Sequence, residues 1–114
     1  MNLLKEGLVA APPLKNLEVP EVLANGEYSV VGKIIVACDA SQHGWGGVLL
    51  QVDLESGKRR PCRFESGVWG RTEKGYDTVK KECQAVLRVF TKFRNYLYGI
   101  RFNLEVDAAT LVVS

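Results

Sequence analysis

One apolar segment near the middle of the chain constrains the fold more than any other feature. It runs from Lys33 to Cys38 and is apolar at every position after the first. An uninterrupted run of this length is typical of a β-strand that is covered on both faces. It is far shorter than the roughly 20 residues that a membrane-spanning helix needs. We therefore expect one domain of 114 residues built around this strand, with no membrane contact.

Two further strands are predicted after the apolar segment. The chain is first broken by a glycine cluster, Gly44, Gly46 and Gly47. The second strand is predicted over residues 45–51, and a turn at Ser56-Gly57 leads to a third over residues 60–68. In the third strand one face is expected to carry Cys62, Phe64, Ser66 and Val68. The short connections predict a three-stranded antiparallel meander.

A long helix and a fourth strand complete the predicted domain. Thr72 is the predicted N-cap of the helix, which is expected to end near Tyr98 because Gly99 follows. The apolar stripe of this helix is predicted to consist of Tyr76, Val79, Cys83, Val86, Leu87, Phe90, Phe93 and Leu97. A fourth strand is predicted over residues 100–106, and another helix is predicted to begin after Asp107.

Residues 1–32 are predicted to form a connector, and residues 33–114 the domain itself. Residues 2–10 have the apolar spacing of a short amphipathic helix, which Pro12-Pro13 would end. The remainder is punctuated by Pro20 and by Asn25-Gly26, with room for short strands around residues 18–23 or 28–31.

The overall charge conceals a basic segment. The formal net charge is +2, whereas residues 58–101 contain twelve basic and four acidic residues. Such a segment is either a patch for a polyanion or a solvated helix face, and composition alone favours the second.

The three cysteines predict the compartment. Cys38, Cys62 and Cys83 are odd in number, have no Cys-x-x-Cys spacing and lie among apolar residues. We expect buried free thiols in a reducing compartment, and therefore a cytoplasmic or nuclear protein.

Three carboxylates occupy unusual positions. Asp39 ends an otherwise apolar strand, Glu82 is predicted on the buried face of the long helix, and Asp107 ends the fourth strand. A buried carboxylate needs a cation, a hydrogen-bond network or a raised pKa. Each acid alone is explained well enough by capping a strand or reaching solvent. The three at comparable positions favour an oxygen-rich site for Mg²⁺ or Mn²⁺.

At these residues the sequence resembles RNase H, and more specifically the RNase H-like domain of long-terminal-repeat retrotransposon polyproteins. The segment Asp39-Ala40-Ser41 through Gln51 is similar to the family pattern TDAS-x-x-G-x-G-x-VL-x-Q. Lys81-Glu82-Cys83 with Tyr96-Leu97-Tyr98-Gly99 resembles its KE…YLYG words, and residues 106–111 resemble TD-x-x-x-L. Residues 4–14 resemble the connector that follows the polymerase in these polyproteins.

The resemblance implies an α/β fold, with three antiparallel strands, a fourth parallel to the first and one long helix packed on the sheet. It also implies an endonuclease that hydrolyses the RNA strand of RNA/DNA hybrids. Asp39, Glu82 and Asp107 match the family's catalytic acids, which hold two Mg²⁺ ions, with Mn²⁺ as a substitute. The implied partners are the hybrid and the upstream polymerase and downstream integrase segments of the polyprotein, in the cytoplasm, the nucleus or a virus-like particle.

The sequence also departs from the family. A fourth metal ligand, expected well after the third acid, is absent, and Ala108 replaces a common histidine. We therefore expect a domain that is cut short at its C-terminus, with the fourth strand as an exposed sheet edge.

Several residues besides the three acids are candidates for the functional site. Ser41, Gly44, Arg60 and Lys81 are candidates for contacting nucleic acid, although Ser41 is better explained by a local turn. His43 is expected to be a solvated turn residue, and the glycines lack the Lys-Ser/Thr of a phosphate loop.

The alternatives to the nuclease function are a non-catalytic remnant that acts as a binding or structural module, and a DNA strand-transfer enzyme. The second fits less well because Glu82 precedes Asp107.

Overall fold

The computed structural model describes residues 14, 16–106 and 109–113. They form one mixed sheet with a single long helix, α1 (Thr78–Leu97). The strands are β1 (Ile34–Ala40), β2 (Gly44–Val52), β3 (Arg59–Val68), β4 (Phe102–Val106) and β5 (Ala109–Val113). Their order in the sheet is β3-β2-β1-β4-β5, and β1 and β4 are the parallel pair. The predicted fold class is confirmed. The predicted helix over residues 2–10 lies outside the described residues.

β1 is the central strand, and both of its faces are buried, as its continuous apolar sequence predicts. Val36 pairs with Leu49 of β2 and Leu104 of β4, and its side chain is fully buried beneath α1. On the opposite face, Ile35 packs with Val48 in a second, smaller cluster. The predicted meander of β1, β2 and β3 is also confirmed, because both neighbouring pairs are antiparallel.

A bulge in β3 changes the predicted alternation of its side chains. The register with β2 shifts between Leu49 and Leu50, so Leu49 pairs with Arg63 and Leu50 with Pro61. The prediction that Cys62 and Phe64 share a face is therefore wrong. Cys62 packs on the core beneath α1, and Phe64 packs on the opposite cluster. Bulges of this kind add one residue to one strand, and they accommodate proline, which cannot donate to the ladder.

The long helix begins five residues later than predicted. Thr72 precedes only a short 3₁₀ turn, Glu73–Gly75, and its side chain makes no capping hydrogen bond. The N-cap of α1 is Asp77, whose carboxylate accepts a hydrogen bond of 2.8 Å from the backbone N–H of Lys80. Gly99, with φ of 72°, follows the helix as predicted, because this backbone conformation costs glycine little.

The face of α1 that contacts the sheet also differs from the predicted stripe. The buried residues are Ala85, Val89, Phe93 and Leu97, spaced four residues apart. Among the predicted residues, Val79, Cys83 and Leu87 are exposed. The helix has apolar residues on two adjacent faces. The face that packs on the sheet is the one that begins with the small residues Ala85 and Val89, because they allow the helix to approach the sheet closely. There, Val89 lies against the backbone of Gly47.

Gly47 is predicted to be intolerant of any side chain. A Cβ at this position would lie 2.5 Å from Cγ2 of Val89, so α1 would have to move away from the sheet. We expect Gly47→Ala to lower the free energy of unfolding by about 1–3 kcal/mol. Gly75→Ala is the matched control, because a Cβ there meets no atom within 4 Å. Urea unfolding that gives equal losses for the two variants would contradict this packing.

A fifth strand occupies the position where a helix was predicted after Asp107. β5 is antiparallel to β4, with Phe102 opposite Val113 and Leu104 opposite Leu111. The sequence of residues 110–113 is rich in β-branched residues, which favour an extended chain when a strand edge is available. The expected exposed edge at β4 is therefore covered, and the edges of the described sheet are β3 and β5.

The connector contains less regular structure than the sequence allows. In place of the short strands that the sequence allows around residues 18–23 or 28–31, the structure has one antiparallel bridge, between Val22 and Tyr28. It closes a turn at Asn25-Gly26, where Gly26 has φ of 84°. Within the described part of the chain, no helix is long and apolar enough to cross a membrane.

The cysteines differ in accessibility, contrary to the prediction that all three are buried. Cys38 is buried, Cys62 is half-buried and Cys83 is exposed on α1. Burial raises the pKa of the Cys38 thiol to about 12, which disfavours its reactive thiolate. With a thiol reagent at pH 8, we expect mass spectrometry to find Cys83 modified first and Cys38 only after unfolding. Modification of Cys38 in the native protein as fast as Cys83 would contradict this burial.

Candidate active site

Two of the three predicted acids line one small cavity at the end of β1. Asp39 is the next-to-last residue of that strand, and Glu82 lies in the second turn of α1. The cavity has a volume of about 70 Å³ and is otherwise lined by Cys38, Ala40, Ala85 and Val106. The structure thus brings an aspartate of a strand and a glutamate of the helix, 43 positions apart in the chain, to the lining of one cavity.

Glu82 projects from the sheet-facing side of α1 as predicted, but its side chain is exposed and not buried. It lies three residues before Ala85, which is the first buried residue of α1. No residue of the first two turns of α1 is buried. The site is therefore an open one, in which a carboxylate of Glu82 remains hydrated without a large desolvation cost.

The carboxylates of Asp39 and Glu82 suit a hard divalent cation. Among the described residues, neither carboxylate has a hydrogen bond or an ion pair with another side chain. Carboxylate oxygens without a protein partner remain available to a cation. Mg²⁺ is commonly held by one or two carboxylates together with water and substrate phosphates. The donor set therefore fits Mg²⁺ or Mn²⁺.

The third predicted acid, Asp107, lies outside the described residues. Val106, the last described residue before it, lines the same cavity. Within the described ranges, no group of three or more His, Cys, Asp or Glu side chains is placed to hold a metal. The metal-binding role of Asp107 stays a prediction.

A tightly held turn follows Asp39 and connects β1 to β2. The Ser41 hydroxyl accepts hydrogen bonds from the backbone N–H groups of His43 (3.3 Å) and Gly44 (3.2 Å). The backbone N–H of Ser41 donates to the carbonyl of Gly44 at 2.8 Å. Ser41 therefore has the turn role that the sequence favours. Gly44 is required sterically, because a Cβ there would collide with the carbonyl oxygen of Gly67.

Trp69 is a structural residue of this turn whose contact the sequence does not reveal. Its side chain is buried, and its indole Nε1–H donates a 2.8 Å hydrogen bond to the carbonyl of Ser41. Its backbone N–H donates to the carbonyl of His43 at 3.1 Å. Two hydrogen bonds thus fix the turn directly after Asp39. A tryptophan after a predicted strand is the only signal for this in the sequence, and it equally indicates ordinary core packing.

The two basic candidates for contacting nucleic acid lie in different places. Lys81 lies beside the site, where its Nζ donates a 3.3 Å hydrogen bond to the carbonyl of Gln42. Arg60 pairs with Gln51 at the opposite end of β2, and its guanidinium forms a 2.9 Å ion pair with Asp53. Backbone N–H groups of residues 55 and 56 and this guanidinium lower the pKa of Asp53. The structure therefore places Lys81, and not Arg60, next to the acids.

Comparison with known proteins decides the family. The profile of the RNase H-like domain found in reverse transcriptase matches residues 30–114, which include the whole sheet and α1. This chain belongs to that family. The match begins four residues before β1.

The RNase H-like chain is also similar to viral polyproteins. It is 42% identical over 74 residues to the enzymatic polyprotein of Figwort mosaic virus (strain DxS), covering 65% of this chain and 11% of the relative. It is 32% identical over 109 residues to the enzymatic polyprotein of Cauliflower mosaic virus (strain D/H), covering 94% and 14%. The genome polyprotein of Petunia vein clearing virus (isolate Shepherd) is 33% identical over 106 residues, covering 93% and 4%. The chain thus spans only a small part of the length of these relatives.

Proposed function

We propose that this RNase H-like domain is a metal-dependent endonuclease that hydrolyses the RNA strand of RNA/DNA hybrids. The observation that carries the proposal is the pairing of Asp39 and Glu82 at one cavity. Both are without a cationic partner among the described residues, and they belong to different elements of the fold. A chain rarely places two unpaired carboxylates together unless they bind a cation or transfer protons.

In this proposal the acids hold the metal, and Trp69 and Ser41 hold the turn beside them. Asp39 and Glu82 would hold Mg²⁺, or Mn²⁺ in its place, with Asp107 as the expected third acid. The bound ions would supply an activated water and stabilise the leaving 3′ oxygen. The Trp69–Ser41 hydrogen bond keeps the end of β1 in place, so that Asp39 meets the ion without rearrangement.

Positive charge next to the acids supports a polyanionic substrate. Lys81 lines a second depression together with Ser41, Gln42, Tyr76, Asp77 and Thr78. This depression adjoins the cavity of the acids, because Ala40 lines both. An ammonium group at this position is suited to contact a phosphate next to the scissile one.

The wider setting of the domain follows from its relatives. Because they are long polyproteins, we propose that this domain works inside one, after a polymerase segment and before an integrase segment. A retrotransposon with long terminal repeats is the source that the sequence motifs favour. Such a polyprotein would act in the cytoplasm, in the nucleus or in a virus-like particle.

The proposal is tested by cleavage of a duplex with a labelled RNA strand and a complementary DNA strand. We expect fragments of the RNA strand with Mg²⁺ or Mn²⁺, none with a chelator, and none from an all-DNA duplex of the same sequence. Metal-independent cleavage, or equal cleavage of the DNA duplex, would contradict it.

A binding module without turnover is the second candidate. It is favoured by one observation, that the described residues bring only two acids together. This candidate predicts that the hybrid binds and survives, with affinity that falls steeply as salt concentration rises. Binding measured by fluorescence anisotropy, alongside the cleavage assay, separates the two candidates.

A further inference from the structure

Gln51 is a buried polar residue whose hydrogen bonds all lead to the connector. Its side chain is only 7% exposed, at the end of β2. Its carboxamide oxygen accepts from the backbone N–H of Glu18 at 2.8 Å. Its amide nitrogen donates to the carbonyl of Glu18 at 2.8 Å and to that of Gly32 at 3.0 Å. One side chain therefore binds the connector at two places, Glu18 and Gly32.

The bonds to Glu18 imitate those of a neighbouring β-strand. In a hydrogen-bonded pair of an antiparallel ladder, a residue exchanges both backbone bonds with the residue opposite. The carboxamide of Gln51 offers the same donor and acceptor to the N–H and C=O of Glu18. This arrangement recognises an extended backbone and does not depend on the side chain at position 18.

Further contacts hold the connector on both sides of Gln51. The backbone N–H of Val52 donates to the carbonyl of Lys33 at 2.9 Å, and Gly32 packs directly on β2. A Cβ at Gly32 would collide with the carbonyl oxygen of Val52. Leu17, next to Glu18, packs against the core beneath α1. The connector is thus held by polar and apolar contacts together.

The attachment lies at the end of the sheet opposite the acids. Gln51 pairs with Ile34, the first residue of β1, whereas Asp39 lies near the last. Five residues of extended chain correspond to about 17 Å. A connector that is fixed here leaves the cavity of Asp39 and Glu82 open.

We propose that Gln51 is a latch that fixes residues 16–32 to the domain. By holding Glu18 and Gly32 together, it sets the place and direction at which a preceding polyprotein segment joins the RNase H-like domain. The side chain of Gln51 thus recognises a peptide backbone, and the backbone that it binds is the connector of the same chain. This binding requires no metal and no catalysis, so its test is independent of the proposed nuclease activity.

Hydrogen exchange tests the latch. In Gln51→Met, which keeps the length of the side chain and removes its polar atoms, we expect the amide of Glu18 to exchange about tenfold faster or more. The amide of Val36 in β1 should exchange at the wild-type rate. Gln84→Met on α1 is the matched control and should leave Glu18 protected.

A second variant and a second measurement keep the test decisive. Gln51→Leu removes the same donor and acceptor with a different apolar side chain, and it should expose Glu18 in the same way. A glutamate-specific protease should then cut at Glu21 and Glu27 several times faster than in the wild type. An unchanged Glu18 amide in both folded variants, or equal acceleration at Glu18 and Val36, would overturn the proposal.

Discussion

Asp39→Asn is expected to abolish hybrid cleavage while leaving the domain folded. The substitution keeps the size of the side chain and removes an anionic oxygen ligand from the cavity that Asp39 shares with Glu82. Losing a carboxylate that holds the metal should lower the cleavage rate by a factor of about 10² or more. Because Asp39 has no side-chain hydrogen bond or ion pair among the described residues, the variant should be about as stable as the wild type. Steady-state cleavage and thermal unfolding measure the two effects.

Asp53→Asn is the matched control for this substitution. Asp53 lies at the other end of the sheet, and its Oδ1 accepts hydrogen bonds from the backbone N–H groups of residues 55 and 56, which asparagine can also accept. We expect cleavage within about twofold of the wild type. Cleavage that survives in Asp39→Asn, or that falls equally in both variants, would remove Asp39 from the site.

Phe93→Ala is expected to have the largest effect on stability. Phe93 is fully buried at the centre of the helix–sheet interface, in the core that includes Val36, Trp69 and Val89. Truncation of a buried phenylalanine leaves a cavity and lowers the free energy of unfolding by about 3–5 kcal/mol. This loss is a large part of the total stability of a small domain, so a population of unfolded chain should be visible at 37 °C. Urea unfolding followed by circular dichroism measures the loss.

Tyr98→Ala is the control for a large aromatic residue near the same helix. Tyr98 is 92% exposed just after α1, and its truncation should change the free energy of unfolding by less than about 0.5 kcal/mol. If Phe93→Ala were as mild as Tyr98→Ala, α1 would not pack on the sheet through the face described above.

The sheet was predictable where the sequence signals are local. The apolar run of β1 and the turns on either side of β2 give strand limits within one or two residues of those observed. The bulge at Cys62 could not be predicted, because it depends on how Pro61 meets Leu50 across the ladder. β5 could not be predicted either, because its short apolar sequence suits a helix or a strand. The free edge of β4 decides between them.

The helix face was ambiguous for a different reason. α1 carries apolar residues on two adjacent faces, and sequence periodicity alone does not say which one meets the sheet. Contact between Val89 and the backbone of Gly47 selects the face, and only the assembled structure contains that contact. The same shift places Glu82 at the exposed start of the buried face rather than within it.

Two acids of the candidate site could be anticipated from the sequence, whereas the residues that hold its turn and the connector could not. Asp39 and Glu82 stand out because a carboxylate is unusual at their positions, and the structure brings them to one cavity. Trp69 and Gln51 support the fold through hydrogen bonds to the backbone of distant residues. Such contacts leave no periodic pattern in a sequence, since the partner is a peptide group and not a particular side chain.

The most direct test of the central claim is a Mn²⁺ titration of the ¹⁵N-labelled protein, followed by the paramagnetic broadening of its backbone amide signals. We predict that the first signals to disappear are those of the residues around the cavity, Asp39, Ala40, Glu82, Ala85 and Val106. In Asp39→Asn the same signals should persist at the same Mn²⁺ concentration, and in Asp53→Asn they should disappear as in the wild type. Broadening that is centred on other acidic residues, or that is unchanged in Asp39→Asn, would contradict a metal site formed by Asp39 and Glu82.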